Sequence, residues 1–516
     1  MDYNSTDPGL IAQVANKSYD VYQSLSSWQI TLFTIFTFLL LEQVRYVKNK
    51  GTIAGPALKL YPIIGPFLES LNPKFEEYLA KWNSGPLSCV EVFHKFVVIA
   101  STRDLSRKIL SSPKYVKPCL VDVAIKILRA SNWVFLDGQE HADYRKALNG
   151  LFTPSALEDY LPIQEKCIDE HLDLFLSYKE PKQFFDDFRE MLCALSLKTF
   201  CGDYITEDQI KMIADNYYKI TAALELVNFP IIIPYTKTWY GKKIAHDTML
   251  IFQDCADRAK KDIANGSEPN SLMEKWIYQS QQAKLNKLDS DDAKYLTRDF
   301  TSKEISEAVF TFLFASQDAS SSLACWLFQI ISDRPDIANK VREEQLRIRN
   351  NDLSVNLSLD LINEMKYTNA VVKECLRYRP PVTMVPYVAK QEFPITKDYN
   401  VPKGAMIIPT FYPSLHDPEI YENPDDFIPE RWFEATDNML KRNYLVFGYG
   451  AHACIGKNYV YTLFAGLLGK ALLKCDLTHY PTELSEEIEV FATIFPKDHL
   501  TLKWNKYDPF KKEVIA

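Results

Sequence analysis

The sequence predicts a mainly α-helical fold with small β-sheets, preceded by one N-terminal transmembrane helix. Helical hydrophobic patterns dominate the 516 residues. Strand-like runs are few and short, namely 90–100, 385–389, 405–410 and 491–502. Near the N-terminus, residues 21–41 carry no charge, and a helix needs about 20 such residues to cross a bilayer.

The uncharged segment 21–41 is most apolar in its second half, from Ile30 to Leu41. Positive charges stay on the cytosolic side of a membrane, and three of them follow the segment closely: Arg45, Lys48 and Lys50. We therefore expect residues 1–50 to be a lumenal tail and a single-pass anchor, with the remaining chain in the cytosol. A cleaved signal peptide is the alternative, but a basic start and a small-residue cleavage site are not evident.

A connector and one large domain follow the anchor. Residues 51–66 contain three pairs that end in proline, at 55–56, 61–62 and 65–66, and this density disfavours helix and stiffens the chain. The connector is either an ordinary linker or a rigid spacer that fixes the domain against the membrane. Residues 67–516 are predicted to form a single domain, in which the polar stretch 265–301 is expected to be a surface loop.

Composition excludes several classes of protein. The net charge is −8 and the pI is about 5.7, which does not suggest a nucleic-acid-binding protein. The ten cysteines are scattered without the spacing of a zinc site, and so long a chain does not need a disulfide framework. Nine of them are interpreted as ordinary reduced thiols.

A long buried helix is predicted to begin at Thr301, which with Glu304 has the pattern of a capping box, and to end before Pro335. Its middle is apolar on nearly every side, yet the polar run 316–322 follows directly. Buried polar groups require partners, so this run is either a structural hydrogen-bond network or a reaction site.

Residues 447–456, FGYGAHACIG, surround Cys454 with glycines and precede another helical pattern. Gly448 and Gly450 permit a tight turn, and backbone N–H groups at the start of the next helix can stabilise a thiolate. Gly456 would allow the following helix to approach closely, and Phe447 would shield the sulfur from water. Alone, this pattern also suits an ordinary buried cysteine.

Three further patterns accompany the loop. Glu374 and Arg377 are spaced to pair on one helix face. The sequence PERW, which contains Arg431, lies between that helix and the loop. His141 and Arg145 are spaced to reach one anionic group from a single helix.

Together these residues resemble the cytochrome P450 family across essentially the whole chain after the anchor. The loop matches the family pattern F-x-x-G-x-x-x-C-x-G, and the other two motifs match E-x-x-R and P-E-R-[FW]. The resemblance implies the P450 fold and a heme b whose iron is ligated by Cys454. It also implies a structural triad of Glu374, Arg377 and Arg431.

The resemblance extends to the cofactor site. His141, Arg145 and His452 are expected to bind the heme propionates, and Phe447, Gly448 and Gly456 to shape the loop around the ligand. His452 stands where the family usually has arginine. NADPH would supply electrons indirectly, through NADPH-cytochrome P450 reductase, and Lys441, Arg442 and Lys457 would either attract that acidic partner or form an ordinary solvated surface.

In the central helix, residues 315–319 read ASQDA where the family usually has A-G-x-[DE]-T. Asp318 is therefore expected to deliver protons. Ala319 lacks the usual threonine hydroxyl. Ser320 is the alternative source of a hydroxyl, acting through water, but it lies about 100° further around the helix.

Four longer stretches are similar to the fungal sterol C-22 desaturases within the family, for example 221–243 and 310–330. This similarity implies an enzyme of ergosterol biosynthesis in the endoplasmic reticulum membrane, which uses O2 and NADPH-derived electrons to introduce the C22–C23 double bond of a sterol side chain. The alternatives are another sterol oxidase of the family, a hydroxylase or demethylase, or a heme-binding protein without turnover.

A sterol requires an apolar pocket, and five residues are predicted to contact it: Ala315, Val382, Thr383, Met384 and Phe495. Membrane lipid is a further expected contact. The apolar loop 229–234 would either enter the bilayer and admit substrate or pack on the core.

Overall fold

The computed structural model describes residues 26–69, 72–93, 95–224, 231–288, 291–434, 442–491 and 493–508. The α-helices in these ranges, numbered α1 to α18, are Ser27–Lys50, Phe75–Asn83, Arg103–Leu110, Asp122–Leu128, Gly138–Asn149, Pro154–Ser177, Phe185–Cys201, Glu207–Leu224, Lys237–Ala264, Leu272–Lys284, Ala293–Leu296, Ser302–Asp333, Pro335–Ile348, Leu359–Glu364, Lys366–Tyr378, Tyr412–Leu415, Arg431–Glu434 and Lys457–Lys474. The strands β1 to β12 are Leu87–Val92, Lys95–Ala100, Val116–Pro118, Lys182–Gln183, Tyr387–Ala389, Phe393–Pro394, Asn400–Val401, Met406–Pro409, Cys475–His479, Ile488–Phe491, Thr493–Pro496 and Thr501–Lys506.

The strands form small sheets beside a large helical body, which confirms the predicted fold class. The largest sheet has the strand order β1-β2-β8-β5-β3, and within it only β2 and β8 run parallel. Two predicted strands are in fact more than one element. Residues 90–100 fall in the antiparallel pair β1–β2, and residues 491–502 are shared by β10, β11 and β12.

Helix α12 (Ser302–Asp333) crosses the centre of the helical body, as its apolar middle predicts. The capping box is present: Thr301 Oγ1 accepts the Glu304 N–H at 3.1 Å, and the Glu304 carboxylate accepts the Thr301 N–H at 3.0 Å. The helix packs against α7, α9 and β11, and its core residues belong to the largest hydrophobic cluster. It therefore provides a rigid surface in the interior of the protein.

The stretch 265–301 is not simply a surface loop, and that prediction is wrong. It contains α10 and α11, and α10 begins with a capping box in which Ser271 Oγ accepts the Glu274 N–H at 3.3 Å. Leu272, Trp276 and Ile277 are buried on one side of this helix. The stretch is polar overall, so its amphipathic helix was not predicted, although the capping pattern of Ser271 and Glu274 is visible in the sequence.

Helix α1 (Ser27–Lys50) is long and apolar enough to cross a membrane, which is compatible with the predicted anchor. It continues nine residues beyond the predicted end at Leu41, and its last turns contact the domain. Tyr46 is 1% exposed and packs edge-on against Phe96, with ring centroids 6.1 Å apart. The first residues of the predicted span, 21–25, lie outside the described residues.

Candidate active site

The cysteine loop, residues 447–456, is a tight backbone turn that ends at the start of α18. One short 3-10 helix, Leu445–Phe447, leads into the loop, and a second, Gly450–His452, lies within it. Gly448 and Gly450 have φ values of +69° and +76°, a region that favours glycine. A Cβ on Gly450 would lie 2.7 Å from the Leu110 carbonyl oxygen, so the loop is pressed against the end of α3. The Cys454 N–H donates to the Phe447 carbonyl at 2.8 Å and closes the turn.

Part of the Cys454 surface is accessible to solvent, but many protein atoms surround its thiol group and reduce its hydration. This burial raises the pKa of the thiol, whereas the Gly456 N–H and the positive charges of Arg145 and Lys457 favour the thiolate. A bound metal ion deprotonates a thiol outright. A Cβ on Gly456 would lie 3.8 Å from the sulfur, which is ordinary contact distance, so the glycine is not needed to avoid a clash with Sγ.

Three nitrogen-bearing side chains meet beside the loop. The rings of His141, on α5, and His452 are 4.0 Å apart. Burial and the Arg145 charge lower the pKa of His141, and burial together with His141 lowers the pKa of His452 to about 4. Within the described part of the chain, Arg145 has no ion pair and neither imidazole has a hydrogen-bond acceptor.

This donor set fits the carboxylates of a heme. An unpaired guanidinium and two imidazoles suit propionate oxygens, and a negative charge there would raise both histidine pKa values. Asp137, whose charge acts on both histidines, is already paired with Lys390 at 2.7 Å. The arrangement thus combines an accessible sulfur with an uncompensated cation, as an anionic, iron-containing ligand requires.

Glu374 is the centre of an ion-pair cluster that lies almost entirely in the interior of the protein. Its carboxylate accepts from Arg377 Nη2 at 2.8 Å and Nε at 3.0 Å, and from Arg431 Nε at 3.0 Å. The Trp432 indole N–H and the Ile428 backbone N–H also donate to it, at 2.9 and 3.1 Å. Glu374 and Arg377 are both 0% exposed.

Aromatic side chains connect this cluster to the cysteine loop. Trp432 packs edge-on against Tyr444, with centroids 5.0 Å apart, and Tyr444 lies 6.4 Å from Phe447. The Tyr444 hydroxyl donates to the Lys373 carbonyl at 3.1 Å. Displacement of Glu374 would therefore be transmitted through packed rings to the turn that carries Cys454.

The middle of α12 has a narrow accessible strip. From 305 to 331 every residue is buried except Phe314, Ser316 and Ala319, which are half-buried, and Ala315, which is exposed. Ala315 and Ala319 are one turn apart, so both small side chains share one helix face. These two alanines give the accessible part of α12 a small apolar face with little steric bulk.

Asp318 is not directed to solvent. Its Oδ1 accepts from Arg189 Nη1 on α7 at 2.5 Å, and its Oδ2 accepts from the Thr221 hydroxyl on α8 at 2.9 Å. Arg189 and Asp318 are each 7% exposed. Gln317 adds a bond to the Arg189 carbonyl at 2.7 Å. The carboxylate thus joins three helices as a buried ion pair, and its proton-delivery role stays a prediction.

We expect Asp318→Asn to lower the free energy of unfolding by about 3 kcal/mol, because it leaves the Arg189 guanidinium buried without its carboxylate. Denaturant titration would measure the effect. Asp208→Asn is a matched control, since Asp208 is exposed on α8 and has no ion pair with another described residue. An unchanged denaturation midpoint for Asp318→Asn would contradict the structural role. Lost turnover at unchanged stability would instead favour proton delivery.

The remaining predicted residues have mixed environments. Val382, Thr383 and Met384 are half-buried in the segment before β5. Ser320 is 7% exposed, and its hydroxyl has no hydrogen bond to another described residue. Phe495 is 1% exposed and packs edge-on against Phe185 at 4.7 Å, so the structure places it in the core rather than on an accessible surface.

Sequence reasoning missed the partners that position these groups. Arg189 and Thr221 give no local signal, because they lie 129 and 97 residues from Asp318. Trp133 stacks on His141 with centroids 6.2 Å apart, and it also escaped notice. A buried aspartate requires a cation, so the acid in the apolar helix could have prompted a search for one.

Known proteins place these observations in a family. The cytochrome P450 family model matches residues 56–495. The C-22 sterol desaturase ERG5 of Candida albicans is 68% identical over 483 residues, which cover 93% of each chain. The protein of the same name from Saccharomyces cerevisiae is 61% identical over 514 residues, 98% of this chain and 95% of that one.

A solved structure supports the fold independently. The retinoic acid bound cyanobacterial CYP120A1 has a TM-score of 0.74 to this chain at 20% sequence identity. The likeness covers 87% of this chain and 98% of the other. At this identity it concerns the fold alone.

Proposed function

The chain belongs to the cytochrome P450 family, and from that premise we propose that it is a sterol C-22 desaturase. The observation that carries the proposal is the near-complete alignment to desaturases of that name at 68% and 61% identity. The chain is accordingly a heme-thiolate oxidoreductase that acts on a sterol. The resemblance seen in the sequence points to the same reaction, the formation of the C22–C23 double bond.

We assign the heme to the site around Cys454. Cys454 would ligate the iron, and His141, Arg145 and His452 would bind the propionates. The accessible sulfur and the unpaired Arg145 support this assignment. The Glu374, Arg377 and Arg431 cluster would hold the loop in place. A thiolate-ligated heme supplies the dioxygen chemistry that oxidises an unactivated C–H bond.

The residues of the chain would then decide where that chemistry acts. Ala315 and Ala319 leave room for a flat ligand along α12, and Val382, Thr383 and Met384 would contact the sterol. Desaturation differs from hydroxylation in that a second hydrogen leaves the neighbouring carbon and no oxygen enters the product. Holding both carbons within reach is therefore the task of these side chains.

The redox partner is proposed to be NADPH-cytochrome P450 reductase. Arg442 and Lys457 are exposed near the cysteine loop and could attract an acidic protein, whereas Lys441 lies outside the described residues. Each turnover would use one O2 and two NADPH-derived electrons with two protons, and would yield the alkene and two water molecules.

The enzyme is proposed to lie in the endoplasmic reticulum membrane with its catalytic domain in the cytosol. Helix α1 supports a single-pass anchor, and the cations that follow residue 41 support the orientation. In the apolar loop 229–234, residues 229 and 230 lie outside the described residues. Ile231 and Ile233 are exposed rather than packed on the core, which supports contact with lipid.

Product analysis tests the reaction directly. The purified full-length protein, reconstituted with the reductase and NADPH, should convert an ergosta-type sterol with a saturated side chain into its C-22 alkene. Mass spectrometry and NMR would identify the product. A hydroxylated or demethylated sterol would instead identify another oxidase of the family, and bound heme without any product would identify a non-catalytic heme protein.

A further inference from the structure

Strands β10 and β11 form a hairpin near the C-terminus, which we call the C-terminal hairpin. They pair antiparallel, with Val490 opposite Ile494 and Glu489 opposite Phe495. Among the described strands these two form a sheet of their own, and a hairpin of two strands is only marginally stable in water. The position of this hairpin therefore depends on the surface against which it packs, and β11 packs against α12.

Two side chains of α12 bind this hairpin through one shared atom. The Ser322 hydroxyl and the Trp326 indole N–H both donate to the Ile494 carbonyl oxygen, at 2.5 and 3.1 Å. Ser322 is 0% exposed and Trp326 is 1% exposed, so these bonds lie in the interior of the protein. A serine inside a helix can donate to the carbonyl four residues earlier, as Ser321 does to Gln317 at 2.7 Å. Ser322 donates to a distant strand instead, and so joins the helix to the hairpin.

Two further hydrogen bonds flank the shared carbonyl. Towards the start of α12, the Thr493 hydroxyl donates to the Asp318 backbone carbonyl at 3.3 Å. Towards its end, the Gln329 side-chain amide donates to the Ser485 carbonyl at 3.0 Å, shortly before the hairpin begins. Thr493 and Gln329 are both buried. Hydrogen bonds thus connect this part of the chain to α12 along about three turns of the helix.

The residues that bind the hairpin continue the accessible face of α12. This face contains, in order, Ala315, Ala319, Ser322 and Trp326, and their spacing of four, three and four residues brings them into line. Ala315 is exposed and Ala319 is half-buried, whereas the two residues that follow are buried under the hairpin. Thr493 bonds to the residue directly before Ala319. The hairpin therefore begins where the accessible part of the face ends.

A ligand that lies along Ala315 and Ala319 would meet the hairpin at one end. The proposed reaction removes hydrogen from two neighbouring carbons of a flexible side chain, so both carbons must be held at the reacting position. A fixed hairpin limits how far the side chain can extend along α12. Small displacements matter here, because a shift of about 1 Å in a reacting group can change the rate by about 100-fold.

We propose that Ser322 and Trp326 are positioning residues, which fix the C-terminal hairpin at the end of the sterol site and so favour the double bond over the alcohol. The inference rests on the proposed desaturase function and deepens it, because it assigns product choice to two residues buried behind the accessible face. A hairpin that can shift lets the side chain slide, and the second hydrogen then lies out of reach. The same O2, two electrons and two protons give an alcohol and one water molecule in place of the alkene and two.

A double-mutant cycle tests the shared carbonyl. Ser322→Ala and Trp326→Phe each remove one donor to Ile494 and leave the other in place. The double variant leaves the carbonyl buried without either donor, so its effect should exceed the sum of the two single effects. The readout is the ratio of alcohol to alkene that the full-length holoenzyme forms from a sterol with a saturated side chain, with reductase and NADPH. We expect this ratio to rise severalfold in the double variant and to change little in each single variant.

The pair Ser306→Ala and Trp276→Phe is the matched control. Ser306 also lies on α12, is buried, and donates to a backbone carbonyl, that of Met249 on α9 at 2.8 Å. Trp276 is 0% exposed, and its indole N–H has no hydrogen-bond partner among the described residues. The control pair loses the same side-chain atoms as Ser322→Ala with Trp326→Phe and leaves both donors to Ile494 intact. It should therefore keep the product ratio of the unsubstituted enzyme.

Thr493→Val is a milder variant, for use if the double variant does not fold with bound heme. It removes the bond to the Asp318 carbonyl and keeps the branched shape of the side chain. We expect it, too, to raise the ratio of alcohol to alkene.

Three results would contradict the positioning role. The first is an unchanged product ratio in the double variant, or in Thr493→Val where the double variant does not fold. The second is an equal shift in the control pair, because lost packing alone would then explain the change. The third arises if the unsubstituted enzyme forms no C-22 alkene, so that the desaturase proposal itself fails. The positioning role is then judged on the site of oxidation, and the same site in every variant rejects it.

Discussion

Replacement of Glu374 by alanine should leave no stable heme-containing protein. The substitution removes the acceptor of five donors at once, including two guanidinium groups, in a region that is fully buried. Loss of one member of a buried ion pair costs about 3–5 kcal/mol, and a folded domain is stable by only about 5–15 kcal/mol. The expected loss therefore consumes most of the stability of the domain.

The measurement is the yield of folded protein with bound heme, followed by thermal unfolding of whatever is recovered. Glu364→Ala is a suitable control, because Glu364 is exposed at the end of α14 and forms no ion pair with another described residue. Glu374→Gln should be intermediate, since the amide retains one acceptor oxygen. Normal yield and stability of Glu374→Ala would refute the proposed structural role of the triad.

Replacement of Cys454 by serine should abolish thiolate ligation and all turnover while the protein still folds. Serine is nearly isosteric with cysteine, and the backbone bonds that shape the loop do not involve the sulfur. Serine offers a hydroxyl group in place of the thiolate sulfur, so the iron loses the electron density that favours O–O cleavage. The absorbance spectrum of the reduced carbon monoxide complex reports the ligand directly.

Cys119→Ser provides the matched substitution, because Cys119 is half-buried and outside the loop. We expect it to retain the thiolate spectrum of the unsubstituted enzyme. An unaltered thiolate spectrum for Cys454→Ser would mean that another cysteine binds the iron, and the assignment of the active site would have to be abandoned.

Local patterns predicted what depends on local physics. The capping box at Thr301, the end of α12 before Pro335 and the tight turn at Gly448 follow from backbone geometry that a few adjacent residues determine. The pairing of Glu374 with Arg377 is likewise set by helical spacing. For such features the sequence was sufficient.

Long-range packing was not predictable in the same way. The contact of Arg189 with Asp318 depends on how three helices come together, and no spacing rule connects residues 129 positions apart. Phe495 was predicted to contact the sterol because the pocket should be apolar, but its side chain is buried against Phe185. The anchor was predicted from hydropathy, yet its extension to Lys50 depends on contacts with the domain.

The fusion of α1 with the domain has a practical consequence for shortened forms of the enzyme. A chain that starts at Gly51 would lose Tyr46, whose hydroxyl donates to the Pro56 carbonyl at 2.9 Å, and Arg45, which pairs with the buried Glu91 carboxylate. It would also lose Glu42, whose carboxylate pairs with the Lys59 ammonium group at 2.5 Å. A soluble version should therefore begin near Glu42. The apolar first part of α1 is then removed, and the last part, which packs on the domain, is retained.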